Sequence, residues 1–364
     1  MMTEYSVEVE NLGKDFGPVR ALNTVSFQVR SGSYFVLLGP SGGGKTTILR
    51  LIGGFERPSR GHVRLMGQDV TELPPNKRGS TMVFQNYALF PHMNVERNVG
   101  YGLKLRRLPK QEIRKQVETM LDMVGLAGLN RRMPNELSGG QQQRVQLARS
   151  LVLGTDILLL DEPLASLDAK LRKEMCLELK HIQERVGITF LHVTHNQEEA
   201  MTVADELAII DSGELVEIGR TIDLYENPLR RFTADFIGEN NIFDGRVSRI
   251  DGAEATIDLG YDAVTANSRG QAVRVGDDAS ISVRSERLRI FDRDGKVEDS
   301  FHYLPATHME TVYLGLTTCE IVTLPDGKEV VVRRLSDGVE NAGFTRGAVI
   351  RIGWRKADGR LHTS

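Results

Sequence analysis

The sequence predicts an α/β domain followed by a smaller all-β domain. Up to about residue 236, apolar strand-like runs alternate with helical patterns, which is typical of a mostly parallel sheet covered by helices. After Gly238 the helical periodicity ends, and short alternating strands are separated by glycine turns. A glycine-rich loop, Gly39–Thr46, stands between an apolar strand and a helical segment. We therefore expect one domain over residues 5–236 and another over residues 241–364.

Composition narrows the class of protein. The chain has 364 residues, too many for one ordinary core, and its 40% apolar and 26% charged residues are a normal globular balance. A net charge of −3 gives no electrostatic reason to bind nucleic acid. The longest apolar runs, such as Ile157–Leu160, are far shorter than the ~18 residues of a membrane helix. We expect a chain that neither spans a bilayer nor binds nucleic acid.

The N-terminus and the cysteines indicate a cytoplasmic protein. The first residues have neither a basic start nor an apolar stretch ending at small residues, so we expect no secretory signal. Cys176 and Cys319 are far apart in sequence and lack the spacing of a disulfide framework or zinc site. Both are predicted to be packing residues in a reducing compartment.

Apolar periodicity places the main elements of the first domain. A helix is predicted from Pro109, with apolar residues at helical spacing up to Val124 and Gly125 as its stop. A second helical segment covers Val145–Val152. Four apolar runs are predicted strands: Tyr34–Leu38, Thr81–Phe84, Ile157–Leu160 and Ile188–Val193.

The C-terminal third contains a weak internal repeat. The segment Gly276–Arg284 resembles Gly347–Arg355, with glycine, isoleucine and arginine coinciding and Val283 matching Trp354. Such self-similarity predicts two similar barrel-like halves rather than one open sheet.

The glycine-rich loop predicts a nucleotide-binding site. The spacing Gly39-x4-Gly44-Lys45-Thr46, after a strand and before a helix, is that of a P-loop. Glycines let backbone N–H groups turn inward and approach phosphates closely. Lys45 would neutralise the β/γ-phosphates of ATP, and the Thr46 hydroxyl would bind Mg²⁺. A flexible glycine turn is the alternative, but the strand and helix favour the P-loop. The predicted ATP-binding residues here are Gly39, Pro40, Ser41, Gly42, Gly43, Gly44, Lys45, Thr46 and Thr47.

A second motif separates the classes of P-loop protein. Its residues are Leu137, Ser138, Gly139, Gly140 and Gln141. Ser138 and Gln141 form a Ser-x-x-Gln capping box, and two glycines leave the helix N-terminus uncovered, where free N–H groups and the dipole attract anions. This segment resembles the LSGGQ signature of ABC ATPases. The resemblance covers most of residues 5–236, with the family's motifs in their usual order.

Membership of that family would imply a shared ATP site. Two nucleotide-binding domains would pair head to tail, with each ATP between Lys45 of one subunit and Ser138 of the other. A helical subdomain over about residues 86–152 would carry the signature. Because the chain has one copy of each motif, a homodimer is the simplest arrangement.

The resemblance also assigns the remaining site residues. Ile157–Glu162 resembles the Walker B strand, in which Asp161 would hold Mg²⁺ and Glu162 would orient and deprotonate the attacking water. His195 resembles the switch histidine that contacts the γ-phosphate, whereas His192 is expected to be an ordinary polar residue. Gln85 matches the Q-loop glutamine that reaches Mg²⁺ and water, and the stretch from residue 86 to 94 would face membrane subunits.

Three positions are less regular. Phe16 stands where an aromatic residue stacks on adenine, although a core phenylalanine is an equal alternative. The D-loop carries Asp168, but Ala165 and Ser166 are in reversed order, which leaves its cross-dimer hydrogen bonding open. Asn196 stands where aspartate is more usual. Neither the Ala165-Ser166 order nor Asn196 touches the groups expected to handle phosphate.

Finally, the resemblance points to an importer. The segment Tyr225–Gly238 looks like the junction to a TOBE domain, an OB-like barrel found in importer ATPases for polyamines, sugars, ferric iron and inorganic anions. Residues 240–245 and 283–286 resemble the polyamine (spermidine/putrescine) branch most, although Ser285 replaces a usual proline. The expected partners are a second copy, two membrane permeases and, indirectly, an extracytoplasmic solute-binding protein, with the ATPase peripheral at the cytoplasmic face of the membrane. A soluble ABC ATPase remains the alternative class. The β domain would either brace the dimer or sense a ligand.

Overall fold

The computed structural model describes residues 4–85, 89–336 and 344–363. The chain divides into two compact units, Met1–Thr221 and Ile222–Ser364. The expected boundary at residue 236 lies later than this division. Helix α9 (Arg231–Phe236) packs against strands of the second unit, and Arg284 of that unit donates hydrogen bonds to the carbonyls of Tyr225 and Ile237.

The described residues of the first unit form two sheets. Its strands are β1 (Tyr5–Phe16), β2 (Val19–Arg30), β3 (Tyr34–Leu38), β4 (Arg60–Leu65), β5 (Gln68–Asp69), β6 (Ser80–Val83), β7 (Ile157–Asp161), β8 (Thr189–Thr194), β9 (Glu206–Asp211) and β10 (Glu214–Arg220). The larger sheet has the order β10-β9-β3-β8-β7-β6 and is parallel except for β10 at its edge. The expected mostly parallel sheet is confirmed, and its four predicted strands lie within a residue of their predicted bounds.

A smaller antiparallel sheet, in the order β2-β1-β4-β5, was not predicted. It shares a buried apolar core with the parallel sheet, so that residues such as Val7 and Val63 pack in one cluster with Leu37 and Leu159. This core fixes the carboxyl ends of the parallel strands, which carry the site.

The helices of the first unit are α1 (Lys45–Gly53), α2 (Val95–Val99), α3 (Tyr101–Leu105), α4 (Lys110–Met123), α5 (Gly139–Leu151), α6 (Ala169–Val186) and α7 (Gln197–Val203). Helix α4 confirms the helix predicted from Pro109; Val117 and Leu121 are buried, and Gly125 follows with φ 69°. Helix α5 begins at Gly139, six residues before the predicted start, because the Ser138 cap nucleates it there. The expected helical subdomain includes residues 86–88, which lie outside the described part of the chain.

In its described residues, the second unit is all-β apart from two short α-helices and short 3-10 turns. The α-helices are α8 (Thr221–Glu226), which starts at the division between the units, and α9. Its strands are β11 (Asn240–Asp251), β12 (Glu254–Asp258), β13 (Ala263–Asn267), β14 (Asp278–Arg284), β15 (Arg289–Asp292), β16 (Phe301–Tyr313), β17 (Thr317–Thr323), β18 (Glu329–Leu335), β19 (Val349–Arg355) and β20 (Arg360–Thr363).

The two sheets of this unit have the same topology. Their orders are β13-β12-β11-β14-β20 and β18-β17-β16-β19-β15. After β14, a 3-10 turn leads into β15, which pairs with β19 of the other sheet; after β19, an equivalent turn leads into β20, which pairs with β14. The halves therefore exchange a strand. The repeat predicted at Gly276–Arg284 and Gly347–Arg355 covers β14 and β19, the two strands that lead into these turns.

One core fills the space between the exchanged sheets. Phe243 stacks on Trp354 with ring centroids 5.0 Å apart, and both side chains are buried. The Asn241 side chain donates to and accepts from the backbone of Val331 at 2.8 and 2.9 Å, which ties β11 to β18 of the other sheet. No helix in the described residues has the length and apolarity needed to cross a membrane.

Candidate nucleotide-binding site

An open cleft of about 420 Å³ lies at the carboxyl end of β3. Its floor is the predicted phosphate loop, which connects β3 to α1. The lining residues are Val19, Arg20, Ala21, Ser41, Gly42, Gly43, Gly44, Lys45, Thr46, Thr47, Glu162, Ser212 and Gly213. A cleft at the carboxyl ends of parallel strands is the usual ligand site of such sheets.

The glycines of the loop are required for different reasons. Gly42 and Gly44 have φ angles of 81° and 100°, which L side chains rarely adopt. A Cβ on Gly39 would lie 1.9 Å from the carbonyl oxygen of Ile210 in β9. Gly39 is therefore also constrained by the neighbouring strand, independently of any phosphate.

Lys45 is buried at the start of α1 with only 4% of its surface exposed. Its ammonium group donates to the carbonyls of Gly39 and Pro40, each at 2.8 Å. Burial lowers the pKa of Lys45, and the nearby Glu162 and Asp161 carboxylates oppose that shift. The loop thus holds a desolvated cation beside two carboxylates, where it can compensate a strongly anionic ligand.

Thr46 and Asp161 come together across the cleft floor. The Thr46 hydroxyl donates to Asp161 Oδ1 at 3.0 Å. Burial raises the pKa of Asp161, whereas the hydrogen bond from Thr46 and the charge of Arg50 lower it. A hydroxyl and a carboxylate at this distance fit Mg²⁺, which prefers oxygen ligands and takes few of them from protein when phosphates supply others.

Glu162 lies between two polar side chains at the cleft. Gln85 Nε2 donates to Glu162 Oε2 at 3.1 Å, and His195 Nδ1 lies 3.2 Å from Glu162 Oε1. The Glu162 backbone has φ 45°, and its N–H donates to the carbonyl of Val193 in β8. Positive φ is uncommon for a residue with a side chain and concentrates at functional positions. Three segments distant in sequence thus converge on one carboxylate.

Other predicted residues lie away from this group. Phe16, at the end of β1, is 46% exposed and has the Lys14 ammonium 4.7 Å from its ring centroid, so the alternative of a core phenylalanine is wrong. Within the described residues Phe16 does not line the cleft, but its strand partner Val19 does. Asp168 caps α6 by accepting from the Leu171 N–H at 3.0 Å.

The signature segment forms the capped start of α5. Ser138 Oγ accepts from the Gln141 N–H at 3.3 Å, and Gln141 Oε1 accepts from the Ser138 N–H at 3.0 Å, so the predicted capping box is confirmed. Leu137 is buried and anchors the segment, whereas Ser138 is exposed. As far as the chain is described, none of Leu137, Ser138, Gly139, Gly140 or Gln141 lines the cleft of the same subunit.

The sequence alone did not point to several cleft residues. Arg20 and Ala21 come from β2, and Ser212 and Gly213 come from the turn between β9 and β10. The Gly213 N–H donates to the Gly43 carbonyl at 3.0 Å, which joins this turn to the phosphate loop. The Ser-Gly pair marks a turn, but only the strand order places that turn beside β3.

His192 is a buried polar residue, as expected. Its Nδ1 lies 3.1 Å from the Tyr34 hydroxyl, and burial lowers its pKa to about 3. Among the residues that the structure describes, no group of three or more histidine, cysteine, aspartate or glutamate side chains could hold a metal ion.

Comparison with known proteins identifies the family. Residues 22–165 match the ABC transporter model, and residues 281–361 match the TOBE domain model. The chain is 44% identical over 353 residues to the spermidine/putrescine import ATP-binding protein PotA of Rubrobacter xylanophilus, covering 96% of this chain and 91% of that protein. The chain belongs to the ABC transporter ATP-binding proteins. Its resemblance to this family, and the predicted ABC ATPase fold with a C-terminal TOBE domain, are confirmed.

Further comparisons agree with this membership. This ABC ATPase is 46% identical to PotA of Thermobifida fusca over 338 residues, covering 92% of this chain and 86% of that protein. Among solved structures it is similar to CbiO1 of Clostridium perfringens, part of the ABC transporter complex CbiONQ. The TM-score is 0.57 at 27% identity, covering 61% of this chain and 91% of that one.

Proposed function

We propose that this ABC ATPase hydrolyses ATP to drive import of polyamines such as spermidine and putrescine. The observation that carries the ATPase assignment is the Glu162 carboxylate at the phosphate-loop cleft, between Gln85 and His195. The polyamine assignment rests on relatives at 41–46% identity over most of the chain, which are named spermidine/putrescine import ATP-binding proteins. Sugar, ferric iron or another solute is the alternative cargo.

The phosphate loop would bind ATP through its backbone N–H groups. Lys45 would exchange its hydrogen bonds to the Gly39 and Pro40 carbonyls for the β/γ-phosphates, which compensate its buried charge better than two neutral oxygens do. Thr46, Asp161 and Gln85 would hold Mg²⁺. When bound, this ion would supply positive charge that offsets the negative charge developing on the phosphates. Phe16, exposed beside the cleft strand β2, would stack on adenine.

Glu162 would orient and deprotonate the attacking water. Its carboxylate already has one oxygen on Gln85 and the other near His195, so its orientation is fixed before the water arrives. His195 is half exposed and would contact the γ-phosphate. A positioned carboxylate of this kind contributes rate through general-base catalysis.

A second copy would complete the site. Ser138 begins a helix whose first turn contains two glycines, yet no described residue of the signature lines the cleft of its own subunit. Free N–H groups at such a helix start bind anions. The partner subunit's ATP is their proposed ligand, with Asp168 near the same interface. Two integral-membrane permeases and an extracytoplasmic binding protein would complete the importer, with this subunit at the cytoplasmic face of the inner membrane.

Substitution of Glu162 tests both the hydrolysis and the transport. In Glu162→Gln the amide keeps its size but cannot accept the proton, so we expect ATP binding to persist and steady-state turnover to fall by roughly a hundredfold or more. Turnover is measured by phosphate release. Cells lacking the gene and complemented with the wild type should recover uptake of radiolabelled spermidine or putrescine, and Glu162→Gln should not restore it.

The matched control is Glu198→Gln, an exposed glutamate on α7 that should leave turnover and uptake unchanged. Turnover of Glu162→Gln near the wild-type rate would overturn the general-base assignment. If hydrolysis depended on Glu162 but the deletion spared polyamine uptake and removed that of maltose or ferric iron, the cargo assignment would be wrong. Failure to copurify with any membrane protein would favour a soluble ABC ATPase.

A further inference from the structure

A buried carboxylate lies directly behind the His195 segment. Glu199, on the first turn of α7, has only 3% of its surface exposed. It does not line the cleft, as far as the structure describes the chain, and no step proposed above uses it. Because a buried charge is costly and an apolar residue of similar size would fill the space more cheaply, its contacts indicate what it does.

Glu199 is hydrogen-bonded to the residues immediately before and after His195. The Thr194 hydroxyl donates to Glu199 Oε2 at 2.6 Å, and the same hydroxyl oxygen accepts from the Asn196 N–H at 3.0 Å. The Asn196 side chain in turn accepts from the Glu199 N–H at 3.0 Å. The residues immediately before and after His195 are therefore joined to one carboxylate and to each other, which fixes the backbone that carries the imidazole.

The same carboxylate is joined to the D-loop. Arg172 Nε, on the first turn of α6, lies 3.4 Å from Glu199 Oε1. The Arg172 Nη2 donates to the carbonyl of Leu167 at 2.8 Å, and the next residue, Asp168, caps α6. One guanidinium thus bridges the segment before α6 and the segment that holds His195.

We propose that Glu199 is a positioning residue for His195 and that Arg172 extends this support to the Leu167–Asp168 segment. The proposal rests on the proposed ATPase function. Its consequence is that displacement of the D-loop, which is expected to lie at the interface with the second subunit, would be transmitted to His195. The transmission runs through two hydrogen bonds and one ion pair rather than through the nucleotide.

The groups around Glu199 show which charge compensates its carboxylate. The titratable groups near it include the cation Arg172, His195, the carboxylate Glu162 and His192, together with Tyr34 and Cys176. Burial raises the pKa of Glu199 above its ordinary value, and the hydrogen bond from Thr194 and the charges of Arg172 and His195 offset only part of that rise. His192 stays neutral because burial lowers its pKa to about 3. Arg172 is therefore the principal charge that compensates the carboxylate.

A double-mutant cycle with His195 separates positioning from general stability. Glu199→Gln keeps the size of the side chain and an acceptor for Thr194 but removes the charge that pairs with Arg172. We expect kcat for ATP hydrolysis to fall by roughly tenfold to a hundredfold, with KM for ATP changed by less than about twofold. In the His195→Ala background, Glu199→Gln should cause no further loss, because the residue that it positions is already absent.

Two further variants complete the test. Glu198→Gln, the exposed neighbour on the same helix, should keep kcat within about twofold of the wild type. Arg172→Gln leaves the carboxylate in place, should lower kcat less than Glu199→Gln does, and should also add nothing to His195→Ala. It keeps the proposal testable if Glu199→Gln does not fold.

The outcomes distinguish this proposal from the proposed function. Equal kcat for Glu199→Gln and wild type, or losses that multiply with that of His195→Ala, would overturn the positioning role while leaving the ATPase intact. If wild type itself did not hydrolyse ATP, or if Glu162→Gln retained full turnover, the proposed function would fail first. A lower melting temperature with unchanged kcat would show that the ion pair is structural only.

Discussion

Individual residues of the phosphate loop are constrained by different neighbours. Gly42 has positive φ, and among the described residues nothing beyond its chain neighbours lies within 4 Å of the place where a Cβ would stand. Gly39 has no unusual φ, but its missing Cβ leaves room for the Ile210 carbonyl. The first is a conformational constraint beside the ligand space, and the second is a packing constraint against β9.

Alanine at these two glycines should therefore act differently. Gly39→Ala must push β9 away from the loop, so we expect the free energy of unfolding to fall by roughly 3 kcal/mol. Gly42→Ala forces a residue with a Cβ into the left-handed region and should cost only about 1 kcal/mol. Urea unfolding followed by circular dichroism measures both, without nucleotide. Equal losses in the two variants would contradict the packing explanation for Gly39.

Residues grouped in short motifs could be predicted, whereas those brought in by topology could not. Lys45 and Thr46 belong to the phosphate loop, and Glu162 directly follows an apolar strand. Each therefore lies in a contiguous sequence pattern whose spacing follows from the chemistry of the site. Arg20 and Ser212 reach the same cleft from β2 and from the turn after β9. Their presence depends on strand order, which periodicity does not specify.

At the scale of elements, α5 combines a structural cap with a predicted ligand contact. The capping box satisfies free N–H groups at the helix start and could be predicted from Ser138 and Gln141 alone.

The antiparallel sheet was not predicted because the residue pattern of its first strand is irregular. Its strand β1 pairs with β2 through several register shifts, near Val9, Leu12 and Lys14, and such bulges break the two-residue alternation that marks a strand.

The two roles of Ser138 can be separated by substitution. Ser138→Ala removes the cap and should cost about 1 kcal/mol, or roughly 2–4 °C in melting temperature for a unit of this size. Ser138→Asp preserves the cap, because aspartate caps as well as serine, but it places a carboxylate where the partner subunit's phosphates are expected. We expect wild-type stability with little ATP turnover. Both are measured by thermal unfolding and phosphate release, and normal turnover in Ser138→Asp would argue against the signature contact.

At the scale of the whole molecule, the exchange of strands makes the C-terminal unit depend on its last residues. Strand β20 closes the sheet of the first half, with Leu361 buried in the shared core and Ser282 Oγ lying 2.8 Å from His362 Nε2. The repeat in the sequence predicted two similar halves. It did not predict that one strand from each half would pair in the sheet of the other half. The aligned segments cover β14 and β19 themselves, whereas the strand after each pairs with a strand far away in the chain, Ile290 opposite Ile352 and Leu361 opposite Ile281.

Removal of β20 should unfold the second unit while the first still binds nucleotide. The chain has a single tryptophan, Trp354, which is fully buried against Phe243, so its fluorescence reports only on the C-terminal unit. Deleting residues 359–364 removes a buried leucine and the pairing of β14 with β20, and we expect a red shift of tryptophan emission at 25 °C. Binding of a fluorescent ATP analogue should persist, because the cleft belongs to the first unit.

Arg355→Gln, at an exposed strand end, is the control that should leave the emission unchanged. Unshifted emission in the truncated chain would show that β20 is dispensable, and joint loss of both signals would show that the two units fold as one.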